Sequence, residues 1–240
     1  MLRRNAQSIF VANMWLYPGG ALDDEDASPE VQRHFDGLHQ VATQMDLPSD
    51  EAAAHWVAVV RETVEEAGLL LGSDHHRAWF GGATDWRDEL NHHGAEFITA
   101  IESTDTRFDV SGLAYLGRFI TPLGAPRRYD TRFFVCVMPD GQHPSPDSHE
   151  AVDLDWVRPT EALDRLDAGN MEMVTPTIAV LMRLARFERA ADVVEAAATS
   201  TSDFRVRLRP PGRGRAAIAF PEDADYAEAD ERAEFGAVRI

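Results

Sequence analysis

Arg61-Glu62-Thr63-Val64-Glu65-Glu66-Ala67-Gly68-Leu69, taken with the earlier turn Tyr17-Pro18-Gly19-Gly20, is the stretch that decides how this chain folds. At about 100° per residue, Trp56, Val60, Thr63, Val64 and Ala67 gather on one side of a helix and Glu62, Glu65 and Glu66 on the other. The helix is expected to bury the first face and present three carboxylates on the second. Like charges three and four residues apart repel by roughly a few tenths of a kcal/mol per pair. Only Arg61, four residues before Glu65, is placed locally to offset them, and a divalent cation would supply the missing charge. Gly68 is expected to cap the helix in the left-handed conformation, ahead of the apolar run Leu69-Leu70-Leu71. A bare Glu-x-x-Glu-Glu is usually a solvated acidic face. Here the Gly-Gly turn, Asp26 and the following apolar run set it apart.

Gly20, Asp26, Arg61, Glu62, Glu65, Glu66 and Gly68 together resemble the signature box of the Nudix hydrolases: Gly, five residues, Glu, seven residues, then Arg-Glu-U-x-Glu-Glu-x-Gly-U with U apolar. Two departures accompany the match. The early acid is Asp26 rather than Glu, and the arginine that the pattern places at position 34 stands at 61, so an insertion lies inside the box. The branch of the family that includes the peroxisomal coenzyme A diphosphatase is similar on these points, with Pro-Gly-Gly-x-x-Asp, an insertion, and Arg-Glu-Thr-x-Glu-Glu-Ala-Gly. Further along, Thr121-Pro122 and Arg127-Arg128-Tyr129-Asp130-Thr131-Arg132-Phe133-Phe134 are similar to that branch's Thr-Pro, short loop and Arg-Arg-Phe-Asp-Thr-x-Phe-Phe.

The resemblance implies an α+β Nudix fold, an α/β/α sandwich with a mixed sheet between helices. It implies Mg2+ or Mn2+ held by Glu62, Glu65, Glu66 and the Gly20 carbonyl, with Arg61 orienting Glu65 by a salt bridge. Glu62, Glu65, Arg61 and Glu150 form the expected catalytic set. Glu150 is the candidate base and Asp147 the second choice, because an acid from the loop before a strand of this type often serves that role in the family. Asp26 is expected to help position the glycine turn. Arg127, Arg128, Arg132 and Arg4 are expected to meet substrate phosphate, since guanidinium groups hold phosphate oxygens bidentately; a plainer alternative is that Asp130 pairs with a neighbouring arginine to order its loop. The implied reaction splits a pyrophosphate joined to another group, with coenzyme A or an acyl-CoA first and ADP-ribose, NADH or a nucleotide sugar left open. Two readings of other classes compete: a non-catalytic nucleotide-binding regulator with this fold, and an acidic scaffold whose glutamates are solvated. Neither needs clustered, mutually repelling acids.

A net charge of -18 argues against nucleic acid or an anionic membrane as partner. The expected partner is a small nucleotide substrate, with a homodimer allowed. The chain has one cysteine, Cys136, set in an apolar run, which suits a reducing compartment and a cytoplasmic location. No apolar run approaches the roughly 20 residues needed to span a bilayer, and Met1-Leu2-Arg3-Arg4-Asn5 is not followed by the apolar stretch of a signal peptide.

The resemblance implies a Nudix domain over 1–198, with a helical insertion at 27–50, followed by an extension over 199–240 expected to be a hairpin and an acidic tail. The strand that usually precedes Leu-Arg-Arg is nearly absent; either a preceding segment is missing or another segment covers the sheet edge. Ser28-Pro29 starts a helix expected to run through Val31, Phe35, Leu38 and Val41-Ala42 to about Met45. Residues 72–82 read as a loop and 84–100 as an amphipathic helix broken near Gly94. Strands are expected from Leu113 to Thr121, from Phe133, and over Val152–Val157 with Leu154 and Trp156 on one face. Thr160 opens a helix that Gly169 ends, and Thr175-Pro176 opens a long one reaching about Ala198. The tail over 222–234 is expected to be mobile or to fold back on the arginines at 205–215.

Overall fold

The computed structural model describes every residue except 9–10, 73–86, 88–89, 91–95, 123–124, 126, 210–211 and 230–235. The loop and most of the helix expected over 72–100 lie outside the described residues. Described there are Gly72, Arg87, Leu90, Glu96 and the start of helix Phe97–Thr104, called α4 below.

The box helix α3 spans Ser49–Ala67 and ends at Gly68, whose φ of 65° is left-handed as expected. Gly68 and Leu69 donate back to the Val64 and Thr63 carbonyls at 2.9 and 3.2 Å, satisfying the helix's last acceptors. Trp56, Val57, Val60 and Val64 are fully buried. The opposite side is enclosed as well: Arg61 and Glu66 are buried and the Glu62 side chain keeps 13% exposure. The Gly19–Gly20 turn and the short 3-10 turn Asp24–Ala27 fold over that side.

The insertion is two short helices, α1 Pro29–Gln32 and α2 Leu38–Ala42, and not the single helix expected. Between them Phe35–Asp36 (β3) pairs in parallel with Phe108–Asp109 (β4), and Gly37, at φ 82°, turns the chain. Phe35 stacks on Phe108 at 4.7 Å, so burying this aromatic pair overrides helix periodicity.

The larger sheet runs β6 (Asp130–Cys136), β5 (Leu113–Ile120), β10 (Gly236–Val238), β8 (Phe204–Leu208), β9 (Ile218–Ala219). Residues beyond 199 are thus woven into it: β8 and β9 form the hairpin, and β10 lies antiparallel between β5 and β8. A smaller sheet sets β1 (Leu2–Arg4) between β2 (Trp15–Leu16) and β7 (Ala151–Leu154). The Leu-Arg-Arg itself forms the three-residue strand β1. β7 is shorter than expected and Trp156, beyond its end, is 66% exposed.

Alternation along β5 sends Leu113 and Tyr115 to the core shared with α3, α4 and the insertion, and Ala114 and Leu116 to a second core. Helices α5 (Pro159–Asp167), α6 (Thr175–Leu184) and α7 (Ala190–Thr199) cover that second core. Helices on both faces of a mixed arrangement of strands give the expected α/β/α sandwich. The long helix expected to Ala198 is two helices, α6 and α7, with Arg189 extended at φ -129° and ψ 143° between them; no proline or glycine marks that break. The described acids after Phe220 fold back on arginines, Asp223 and Asp225 reaching Arg209 at 2.8 and 2.6 Å. Among the described residues no helix is long and apolar enough to cross a membrane.

Candidate active site

Arg61 is the hub of the site. Its Nε and Nη2 donate to the two carboxylate oxygens of Asp26 at 2.9 and 2.8 Å, its Nη1 to Glu62 at 2.9 Å and Glu65 at 3.2 Å, and its Nη2 also to the Ala21 carbonyl at 3.0 Å. Asp26 has no exposed surface. The bidentate Asp26–Arg61 pair closes the box across the insertion, joining two residues far apart in sequence. Burial opposes the Arg61 charge, but Asp26, Glu62 and Glu65 together hold its pKa above the ordinary value. The salt bridge to Glu65 is present, and the tighter contact is to Asp26.

Asp26 is itself fixed by a capping box: Asp23 accepts at the turn's start while the Asp26 side chain accepts from the Asp23 N–H at 2.8 Å. Its neighbour Glu25 accepts from the Phe97 and Ile98 N–H groups at 2.7 and 2.9 Å and so holds the open N-terminus of α4.

Glu66 turns the other way and accepts from the Gly19 N–H at 3.0 Å. At Gly20 a Cβ would lie 2.5 Å from both Glu62 carboxylate oxygens, so a larger residue would displace that carboxylate from the turn. Beside Glu66, Arg4 Nη2 reaches Glu150 at 3.2 Å, and Arg4 Nε is buried with no hydrogen-bond partner. Asp147 uses both oxygens on the Glu150 and Ala151 N–H groups, at 2.9 and 2.7 Å, and braces the loop that carries Glu150.

The electrostatics follow from this enclosure. Burial, reinforced by Glu65 and Asp26 against the pull of Arg61, pushes Glu62 up to about 7. Burial, with Glu62 and Glu150 adding to it against the Gly19 N–H bond and Arg4, pushes Glu66 up to about 8. Glu65 is also raised, chiefly by burial. These acids are short of positive charge.

All-oxygen donors short of charge suit a hard divalent cation. Yet among the described residues no three His, Cys, Asp or Glu side chains converge on one point. Glu62 and Glu65 are drawn to Arg61, and Glu66 to the Gly19 N–H. The donor chemistry fits a metal; the side chains are arranged as mutually repelling acids settle on the nearest available donors.

The arginines of the β5–β6 hairpin are not gathered with these acids. Arg127 is exposed, Arg128 donates to the Thr121 carbonyl at 2.8 Å, and Arg132 lies 3.5 Å from Asp130. Asp130 is also gripped bidentately by Arg118, at 2.7 and 2.6 Å, so the plainer pairing of Asp130 with a neighbouring arginine is present. The capping-box spacing of Asp23 and Asp26 was the available sequence signal for the buried clasp. Nothing local marks Glu25, whose partners lie on a distant helix.

Comparison with known proteins bears on this geometry. The model of the NUDT19 Nudix domain matches residues 39–184, more than half of the chain, beginning inside the insertion and so after Gly20 and Asp26. The chain is 24% identical to the acyl-coenzyme A diphosphatase NUDT19 of Xenopus laevis over 227 residues, covering 78% of this chain and 59% of that protein. It is 25% identical to the human acyl-coenzyme A diphosphatase NUDT19 over 233 residues, covering 80% and 62%. It thus spans about three fifths of the length of these relatives. Among solved structures, a NUDIX hydrolase from Alicyclobacillus acidocaldarius superposes with a TM-score of 0.64 at 29% identity, covering 81% of this chain and 86% of that one.

Proposed function

Since the chain belongs to the Nudix hydrolases, matching over more than half its length the NUDT19 Nudix domain, we propose that it hydrolyses the pyrophosphate link of a nucleoside diphosphate joined to a second group. Coenzyme A or an acyl-CoA is the first candidate, in line with the names of its relatives. The observation that carries this reading is the enclosure of Glu62 and Glu66 against the Gly19–Gly20 turn, with Glu65 drawn to the same Arg61 as Glu62, all three with raised proton affinity.

Glu62, Glu65, Glu66 and the Gly20 carbonyl would hold Mg2+ or Mn2+, which polarises a phosphoryl oxygen and lowers the pKa of bound water. Arg61, anchored by Asp26, orients Glu62 and Glu65. Glu150 is the group to accept the proton of the attacking water: Asp147 is committed to two backbone N–H groups, whereas Glu150 has 62% of its side chain exposed. Arg4, with an unpartnered Nε beside Glu66, would hold a phosphate oxygen. Arg127 and Arg128, on an exposed loop, would meet more distant parts of the substrate. The single half-buried thiol Cys136, which burial pushes up to about 11, is unreactive and consistent with a reducing, cytoplasmic setting.

The test is a substrate panel of coenzyme A, an acyl-CoA, ADP-ribose, NADH and a nucleotide sugar, with Mg2+ or Mn2+, on wild type and Glu65→Gln. Release of adenosine 3′,5′-bisphosphate from coenzyme A by wild type, cut by about 100-fold or more in the variant, supports the proposal. Turnover of none of the five overturns it.

A further inference from the structure

His55, Glu62 and Glu66 lie seven and eleven residues apart on α3 and so share one stripe of the helix. At the His55 end of that stripe two arginines face each other across the β5–β6 pair, where Arg118 and Arg132 are directly opposed in the register. Opposed residues of antiparallel strands share a face, and like charges there are destabilising. This face is the one that meets α3: Phe134, two residues beyond Arg132, packs edge-on against Trp56 at 4.7 Å.

The local counter-charge is unevenly divided. Asp130 gives both oxygens to Arg118, at 2.7 and 2.6 Å, and lies only 3.5 Å from Arg132. The Arg132 side chain is 7% exposed, and among the described residues it makes no hydrogen bond. A guanidinium so little exposed, whose nearest acceptor is an Asp130 oxygen at 3.5 Å already shared with Arg118, is short of counter-charge unless something else supplies it. Glu51 and Asp203 flank the group at longer range, beside Arg118 and Tyr115 respectively. Burial first, then the nearby Arg132, pushes His55 down to about 4, so the imidazole is neutral and free to donate one N–H.

We propose that Arg118 and Arg132, with His55 beside them, form a phosphomonoester subsite that binds the ribose phosphate of a coenzyme A-type substrate whose pyrophosphate lies at Glu62 and Glu66. The inference rests on the pyrophosphatase reading and names the part of the substrate read at the other end of the helix stripe. Seven residues of helix place His55 about 10 Å from Glu62 along the axis, comparable with the reach from a pyrophosphate across one ribose to its 3′ oxygen. A dianion there would fill the donors of Arg132, relieve the opposed cations, and leave the Arg118–Asp130 pair in place.

Two measurements decide it. Calorimetric titration of the metal-free protein with adenosine 3′,5′-bisphosphate and with AMP needs no turnover; wild type should bind the bisphosphate about tenfold or more tightly, and Arg132→Gln should bring the two affinities together. The ratio of kcat/KM for coenzyme A over 3′-dephospho-coenzyme A should fall toward one in Arg132→Gln and in the more exposed Arg118→Gln, and recover in part in Arg132→Lys. Should Arg132→Gln fail to fold, Arg118→Gln carries both measurements. Equal affinities for bisphosphate and AMP in wild type, or a preference that neither variant changes, overturns the subsite while leaving pyrophosphate hydrolysis standing. Hydrolysis of neither coenzyme overturns the choice of coenzyme A as substrate instead, and the titration then still decides the subsite.

Discussion

Replacing Asp26 with Asn removes one charge from the centre of the clasp while keeping its shape. Asp26 Oδ2 accepts from Arg61 Nη2 and from the Asp23 N–H, both at 2.8 Å, and Oδ1 accepts from Arg61 Nε at 2.9 Å. In Asn, whichever way the amide is turned, its NH2 faces at least one of these donors. Arg61, buried, then loses a full counter-charge and keeps only Glu62 and Glu65. Breaking one partner of a buried pair costs about 3–5 kcal/mol, and in a chain of this size that is about 10 °C in melting temperature. Urea unfolding followed by circular dichroism measures the first and a thermal melt the second. Asp26→Glu, which restores the family's acid, should recover part of the loss. The freed Arg61 should also pull harder on Glu62 and Glu65, so activity falls at temperatures where Asp26→Asn remains folded. If Asp26→Asn unfolds within about 1 kcal/mol of wild type, the clasp is not what joins the two halves of the box.

Gly20→Ala should leave the melting temperature nearly unchanged, because the crowded atoms are the flexible end of Glu62, but it displaces that carboxylate and should lower kcat by about 100-fold. Stability should carry a pH signature. Glu62 and Glu66 are raised to about 7 and 8 from an ordinary 4.5, so as pH rises the unfolded chain releases these protons first and stability falls between roughly pH 5 and pH 8. Thermal melts of metal-free wild type and Glu66→Gln over that range should show the variant with the shallower decline; parallel curves would contradict the assignment. Arg183, 1% exposed, lies 4.1 Å over the Phe204 ring and 4.7 Å over Phe220 and bonds Glu222 and the Ile240 carbonyl. Arg183→Ala should therefore cost about 3–5 kcal/mol in urea unfolding by loosening β10 from the sheet.

What could be read from the chain alone was what depends on short spacing. The Arg61–Gly68 run placed α3, its acids and its left-handed cap, because helix periodicity and the conformational freedom of glycine act within a few residues. The strands around Leu113 and Phe133 were legible from apolar runs. The insertion was misread because Phe35 satisfies a helical pattern, but its ring is stacked on Phe108, far along the chain. The break between α6 and α7 carries no proline or glycine, so nothing local announced it. The acidic side of α3 is enclosed by the chain's own glycine turn and 3-10 turn. That contact joins segments tens of residues apart and also raises the proton affinities of the acids. The Arg118–Arg132 opposition likewise needs the strand register, which no count of residues supplies.

The central claim is that the acids of α3 hold a divalent ion beside the Gly19–Gly20 turn. Electron paramagnetic resonance titration of EDTA-stripped protein with Mn2+, at a pH near 8 where Glu62 is mostly and Glu66 about half ionised, tests it most directly. Wild type should bind Mn2+ at a discrete site, and Glu62→Gln, Glu65→Gln and Glu66→Gln should each weaken that site by about tenfold or more. Binding unchanged in all three variants, or absent from wild type, would contradict it.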